Sequence, residues 1–161
     1  MTSRPDTTRG LGPVADELAR VATDFRVKSV LVMRSDAESM VVAGTAGEAA
    51  HTYVVGGAGA KALGAPGRVP LYCERVVDGD EAVYVRDSRA DAVFAGNEDE
   101  TEYGLINYLG LPVHDADGAV VGTVCVLDDT AREYGEDQRR ELARLRDSVE
   151  SLLREDPDAL S

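Results

Sequence analysis

No stretch of this 161-residue chain approaches the roughly 18 consecutive apolar residues of a membrane-spanning helix. Its first twelve residues are polar and carry no apolar run. The expectation is a cytoplasmic protein. Basic charge is also scarce: 17 lysines and arginines stand against 30 acidic side chains, a formal net charge of −13. A field of that sign repels nucleic-acid phosphate and anionic lipid headgroups, so neither nucleic acid nor a membrane surface is an expected partner. Only Lys28 and Lys61 are lysine, a bias that fits GC-rich coding or a high-salt habitat and says nothing of function. Metal-ligating residues are few. Cys73 and Cys125 lie far apart, with no Cys-x-x-Cys pair and no neighbouring histidine, and are expected to be buried free thiols. His51 and His114 fall in or beside predicted turns, make no metal-ligand spacing, and are expected at the surface. No metal site is assigned. No Ser-His-Asp set, paired-carboxylate site or phosphate loop emerges, so no catalytic residue is assigned and the chain is not expected to be an enzyme.

What is present is periodicity. Val14, Leu18, Val21 and Phe25 recur at helical steps over residues 13–26, with Pro13 suited to the first turn. Residues 29–33 and 39–45 read as a hairpin, followed by a glycine- and alanine-rich loop over 44–67 with a short strand near 52–55. That loop is a candidate lid. Residues 69–77 have helical spacing and end at Asp78-Gly79. A strand over 81–85 leads into a charged crossover, 90–102, anchored by Val93 and Phe94, with a helical turn over 101–106. The acidic run 97–102 lacks the spaced ligands of a calcium loop and reads as a solvated loop. Gly57-Ala58-Gly59-Ala60-Lys61-Ala62 mimics a dinucleotide-binding turn, but Gly64, Pro66 and Gly67 break the helix that must follow.

Asp117-Gly118 between two apolar runs makes residues 107–128 the strongest local signal, a β-hairpin. In its second strand Val120, Val124 and Val126 fall on one face and Val121, Cys125 and Leu127 on the other, so the sheet must be covered on both sides. A last helix over 136–154 carries Leu142, Leu145, Val149 and Leu152 at steps of three, four and three. The two terminal stripes predict helices packed on one sheet face that also form a homodimer interface through Val14, Leu18, Val21, Phe25, Leu142, Leu145, Val149 and Leu152. The fold class is α+β, with a central antiparallel sheet, terminal helices on one face, and loops and short helices on the other. Residues 1–12 read as a disordered tail, 13–155 as one domain and 156–161 as a second tail.

Five segments in order carry a family resemblance: Pro70-Leu71-Tyr72-Cys73-Glu74, Val85-Arg86-Asp87, the stretch from Ala90 to Asn97, Tyr108 to Val113, and Gly122 to Asp128. Together they resemble a GAF domain, most closely those of bacterial and archaeal sensor kinases and related signalling proteins. The resemblance implies a small-molecule pocket on the sheet face away from the terminal helices. By position its candidate lining is Tyr72 and Cys73, Val85 and Asp87, Phe94, Tyr103, Ile106, Asn107 and Tyr108 from the crossover and first hairpin strand, and Cys125. For Phe94, Ile106 and Cys125 ordinary core packing is the stronger reading; Tyr72, Asp87, Tyr103 and Asn107 have the polar capability of ligand contacts.

The cofactor is unknown. The cyclic-nucleotide pattern is missing, neither cysteine has the histidine neighbour of bilin attachment, and His51 and His114 are poorly placed for haem. The resemblance therefore implies a small-molecule-sensing module that signals through its terminal helices to a protein in trans. Two alternatives stand beside it: a ligand-free dimerisation or scaffold module, and a thiol redox sensor or methionine sulfoxide reductase-like protein.

Overall fold

A computed structural model describes residues 10–48 and 52–161; His51 and residues 1–9 lie outside that description. The runs rich in β-branched residues form β1 (Ser29–Ser35), β2 (Ser39–Ala46), β3 (Ala58–Ala60), β4 (Val83–Val85), β5 (Asn107–His114) and β6 (Val120–Asp128). They make one sheet in the order β3-β2-β1-β6-β5-β4, with every neighbour antiparallel. The β5–β6 hairpin sits inside it as expected, paired from Asn107↔Asp128. Its turn is closed by Asp115, whose carboxylate accepts from the amides of Asp117 and Ala119, and by Gly118 at φ +87°.

Strand alternation divides the core in two. On one face Val30, Val32, Leu109, Val124 and Val126 meet α1 (Ala15–Phe25) and α4 (Glu136–Glu155). On the other, Leu31, Met33, Met40, Val42, Cys125 and Leu127 meet α2 (Tyr72–Gly79). Val121 departs from its expected face. The pairing passes from Val113↔Gly122 to His114↔Val120, leaving Val121 as the extra residue of a β-bulge that turns its side chain to the terminal-helix core.

The stripes expected at a homodimer interface are spent inside the chain. Val14, Leu18, Val21, Phe25, Leu142, Leu145 and Val149 are between 0 and 6% exposed, and Leu152 packs partly buried against the same cluster. A helix of this length has one apolar stripe, and here the sheet takes it. The expected second tail is also core: Ala159 and Leu160 are buried and the Leu160 carbonyl accepts from Arg34 Nη1 at 3.1 Å. At the other end Leu11 is buried ahead of a 3-10 turn, Gly12–Val14.

Three elements fall away from their expected places. The short strand is β3, not 52–55, because Gly59 and its neighbours pair with Met40 at the sheet edge. The helix expected from Val69 starts at Tyr72, since Leu71 is extended with ψ 152° and Val69 is exposed. The acidic run is a helix, α3 (Glu98–Tyr103), rather than a loop. Buried Asn97 caps it by accepting from the Asp99 and Glu100 amides, and three acidic residues in its first turn suit the helix dipole. Of the two crossover anchors, Phe94 is buried and Val93 is exposed.

Candidate functional site

Glu74 organises the side of the sheet away from α1 and α4. Its nearly inaccessible carboxylate accepts from the amides of Leu71 (3.1 Å), Ala62 (2.9 Å) and Leu63 (2.9 Å), tying the 61–71 segment to the start of α2. Asn97 does the same for α3, donating to the Phe94 carbonyl at 2.9 Å while it caps the helix. Between these elements and the sheet lies a cavity of about 230 Å³, below the roughly 300–1,000 Å³ of ordinary ligand pockets and so suited to a small molecule. Leu31, Met33, Met40, Val42, Cys125 and Leu127 line it from the strands. Leu71 and Cys73 line it from α2, Glu98, Asp99 and Tyr103 from α3, and Tyr53 and Gly57 to Gly59 from the edge segment.

One end of the cavity is polar. The Tyr53 hydroxyl donates to Asp99 Oδ1 at 2.6 Å, and its ring meets Tyr103 edge-on at 5.0 Å. Although the surface of Asp99 as a residue is only half-buried, its carboxyl group is desolvated and its pKa is pushed up to about 6. A nearby cation would favour its ionised form. Both thiols are free and buried, as expected from their apolar surroundings, and both reach the lining. Burial pushes the Cys125 thiol up to about 12 and the Cys73 thiol well above its ordinary value, so neither is a ready nucleophile.

Of the residues expected in the pocket, Cys73, Tyr103, Tyr108 and Cys125 line it. Tyr72, Val85 and Phe94 belong to the core beside it. The Tyr72 ring stacks on Tyr108, with centroids 4.7 Å apart, and packs against Phe94 on another side, while its hydroxyl donates to the Leu105 carbonyl at 3.0 Å. Ile106 is buried off the cavity. Asp87 caps a 3-10 turn, Ser88–Ala90, and pairs with Arg89 at 2.8 Å. Asn107 is a structural joint: its amide donates to the Val85, Arg86 and Arg132 carbonyls and its oxygen accepts from Tyr134.

Sequence reasoning missed Tyr53, Asp99 and the methionine floor. Tyr53, a lone aromatic in a glycine-rich loop, was the available signal.

Gly110 explains how Tyr108 lies flat beneath Tyr72. A Cβ at Gly110 would collide with the Tyr108 hydroxyl and ring edge. Gly110→Ala is expected to expel the ring from the stack and lower stability by roughly 1–3 kcal/mol. Near-ultraviolet circular dichroism and a urea midpoint will show both changes.

A second connection joins the cavity side to α4. His114, at the end of β5, places Nδ1 2.8 Å from Glu150 Oε2 on α4 and Nε2 2.7 Å from Asp80 Oδ1 just past α2. This is not the isolated surface histidine its turn position suggested. Hydrogen bonds to both carboxylates raise its pKa; only the imidazolium can donate to both. With the folded value above the unfolded one, the stabilisation is fully present below about pH 6.5 and is lost as pH rises through the folded value. His114→Gln should flatten the dependence of the urea midpoint on pH across that window.

Among the described residues no group of His, Cys, Asp and Glu could hold a metal ion, and no helix is long and apolar enough to cross a membrane. No curated protein matches the sequence. Solved structures do match. A free methionine-R-sulfoxide reductase from Neisseria meningitidis, in complex with its substrate, is 16% identical with a TM-score of 0.65, covering 88% of this chain and 75% of that one. The GAF domain of an Acinetobacter phosphoenolpyruvate-protein phosphotransferase is 15% identical at TM-score 0.64, covering 87% and 78%. A red/green cyanobacteriochrome in its red-light-absorbing state is 16% identical at 0.66, covering 87% and 90%. At such identities the likeness is one of fold. The family model of the GAF domain matches residues 14–151, and the chain belongs to the GAF domain family.

Proposed function

We propose that this chain is a small-molecule-sensing regulatory module, in which occupancy of the cavity is relayed through the sheet to α1 and α4 and from them to a protein in trans. Membership of the GAF family supports a regulatory or sensing role in general. The observation that carries the finer reading is the placement of a partly polar cavity directly across the sheet from the terminal helices. Residues 124 to 127 alternate between the two sides, so a shift of Cys125 or Leu127 moves Val124 and Val126 beneath the helices. The Asp80–His114–Glu150 bridge offers a second route, from α2 to α4. Kinship with sensor kinases in particular rests on the motifs between residues 70 and 128.

A homodimer, if it forms through these helices, must use their outer faces, where Glu17, Arg20, Asp24, Glu141 and Arg144 line a charged groove. Such an interface weakens with salt. The raised pKa that burial gives both thiols supports the sensing reading over a thiol enzyme.

A thermal-shift survey across small metabolites tests the sensing role. A ligand that binds only the folded state at 100 times its Kd adds about 2.7 kcal/mol and raises Tm by several degrees. A flat response across the survey would favour the ligand-free scaffold.

A further inference from the structure

We infer that the cavity takes a small primary amine, its ammonium seated against Asp99 and its apolar body lying over the methionine and leucine floor. This rests on the sensing role proposed above and names the chemical class of the ligand. Among the described residues no lysine, arginine or histidine lines the cavity; its ionisable oxygens belong to Asp99, Glu98 and the tyrosines. Asp99 Oδ1 accepts from Tyr53, and among the described residues no donor reaches Oδ2. The hydroxyl of Tyr108, a residue only 1% exposed and on the same lining, has no N–H or O–H partner among the described residues and only the weakly bonding Cys125 thiol beside it.

Ligand charge decides between the classes. A carboxylate or phosphate would meet Glu98 and Asp99 with no cation among the described residues of the lining, in a chain of net charge −13. A neutral apolar molecule would fill the floor but leave the desolvated Asp99 without a counter-charge. An ammonium supplies three donors and a positive charge to a site whose polar side chains, among the described residues, are carboxylates, hydroxyls and two thiols. The apolar part is limited to a few carbons or one ring by the cavity of about 230 Å³, and Met33 and Met40 can adapt to its shape.

Calorimetric titration of the full chain with phenethylamine, 2-phenylethanol and 3-phenylpropionate varies the head group on one body. The amine is expected to bind at least about tenfold more tightly than the alcohol, the scale of one charge-assisted hydrogen bond, and the acid most weakly. In Asp99→Asn the amine's advantage should vanish while the alcohol binds as before. Equal or tighter binding of the alcohol or the acid would overturn the assignment, as would an amine preference surviving in Asp99→Asn or no binding by any of the three. Binding of the alcohol without an amine preference removes the amine and leaves the sensing role intact; that role falls only if the wider metabolite survey is also blank. The three isosteres against the unaltered chain decide the matter even if the variant fails to fold.

Discussion

Replacing Asn107 with leucine will lower the unfolding free energy by roughly 3–5 kcal/mol. Asn107 is fully buried where β4, β5 and the segment leading into α4 converge. Its amide nitrogen donates to the Val85 carbonyl at 3.1 Å, to Arg86 at 3.1 Å and to Arg132 at 2.9 Å, and its oxygen accepts from the Tyr134 hydroxyl. Leucine has similar bulk and can make none of these. The Arg132 carbonyl keeps a donor in Tyr84, and Val85 stays paired with Tyr108 in the sheet, but the Arg86 carbonyl and the Tyr134 hydroxyl lose the partner they have in Asn107, at about 1–3 kcal/mol for each buried group left unpaired. Against a total of roughly 5–15 kcal/mol, the chain would stand near its unfolding threshold. The check is a urea titration in which the midpoint falls and the slope is unchanged. A double-mutant cycle with Tyr134→Phe isolates the Asn107–Tyr134 bond, whose coupling should be about 1 kcal/mol or more.

Glu74→Gln will release the roof of the cavity. One buried carboxylate accepts three backbone amides, two on Oε1 and one on Oε2. Glutamine keeps the shape but replaces one acceptor oxygen by a donor, so either one or two of those amides must face an N–H₂ group. The loss of charge weakens the remaining bonds as well. The expected cost is roughly 2–4 kcal/mol, concentrated in the 61–71 segment. Hydrogen exchange at Ala62, Leu63 and Leu71 should quicken, with exchange in α1 and α4 much less affected. Ligand affinity should fall with it, because Leu71 and Cys73 form part of the cavity wall.

The outline of this molecule was legible because period and turn chemistry are local. The Asp117-Gly118 turn and apolar faces of β6 placed the central hairpin, and the stripes of α1 and α4 placed both helices. What those stripes face was not legible: a seam of Leu142, Leu145 and Val149 looks the same whether it meets a sheet or a second chain, and only the tertiary structure shows it buried within the monomer. The acidic run 97–102 reads as a solvated loop by its charge, yet the Asn97 cap makes it helical. The site was the least legible part. Tyr53 and Asp99 are 46 residues apart and meet only through the fold. Asn107 and Tyr72 had the polar groups of pocket residues, but donate their hydrogen bonds to backbone carbonyls away from the cavity. Val121 shows the limit of alternation itself, since one bulge reverses the face it predicts.

The most direct test of the central claim, that the cavity reports to the terminal helices across the sheet, is amide hydrogen exchange with and without saturating ligand, starting with phenethylamine. Protection is expected at Tyr53, α2 and α3 together with altered exchange in α4, strongest around Glu150 where the His114 bridge lands. Protection confined to the cavity wall, with α1 and α4 exchanging at unchanged rates, would contradict it.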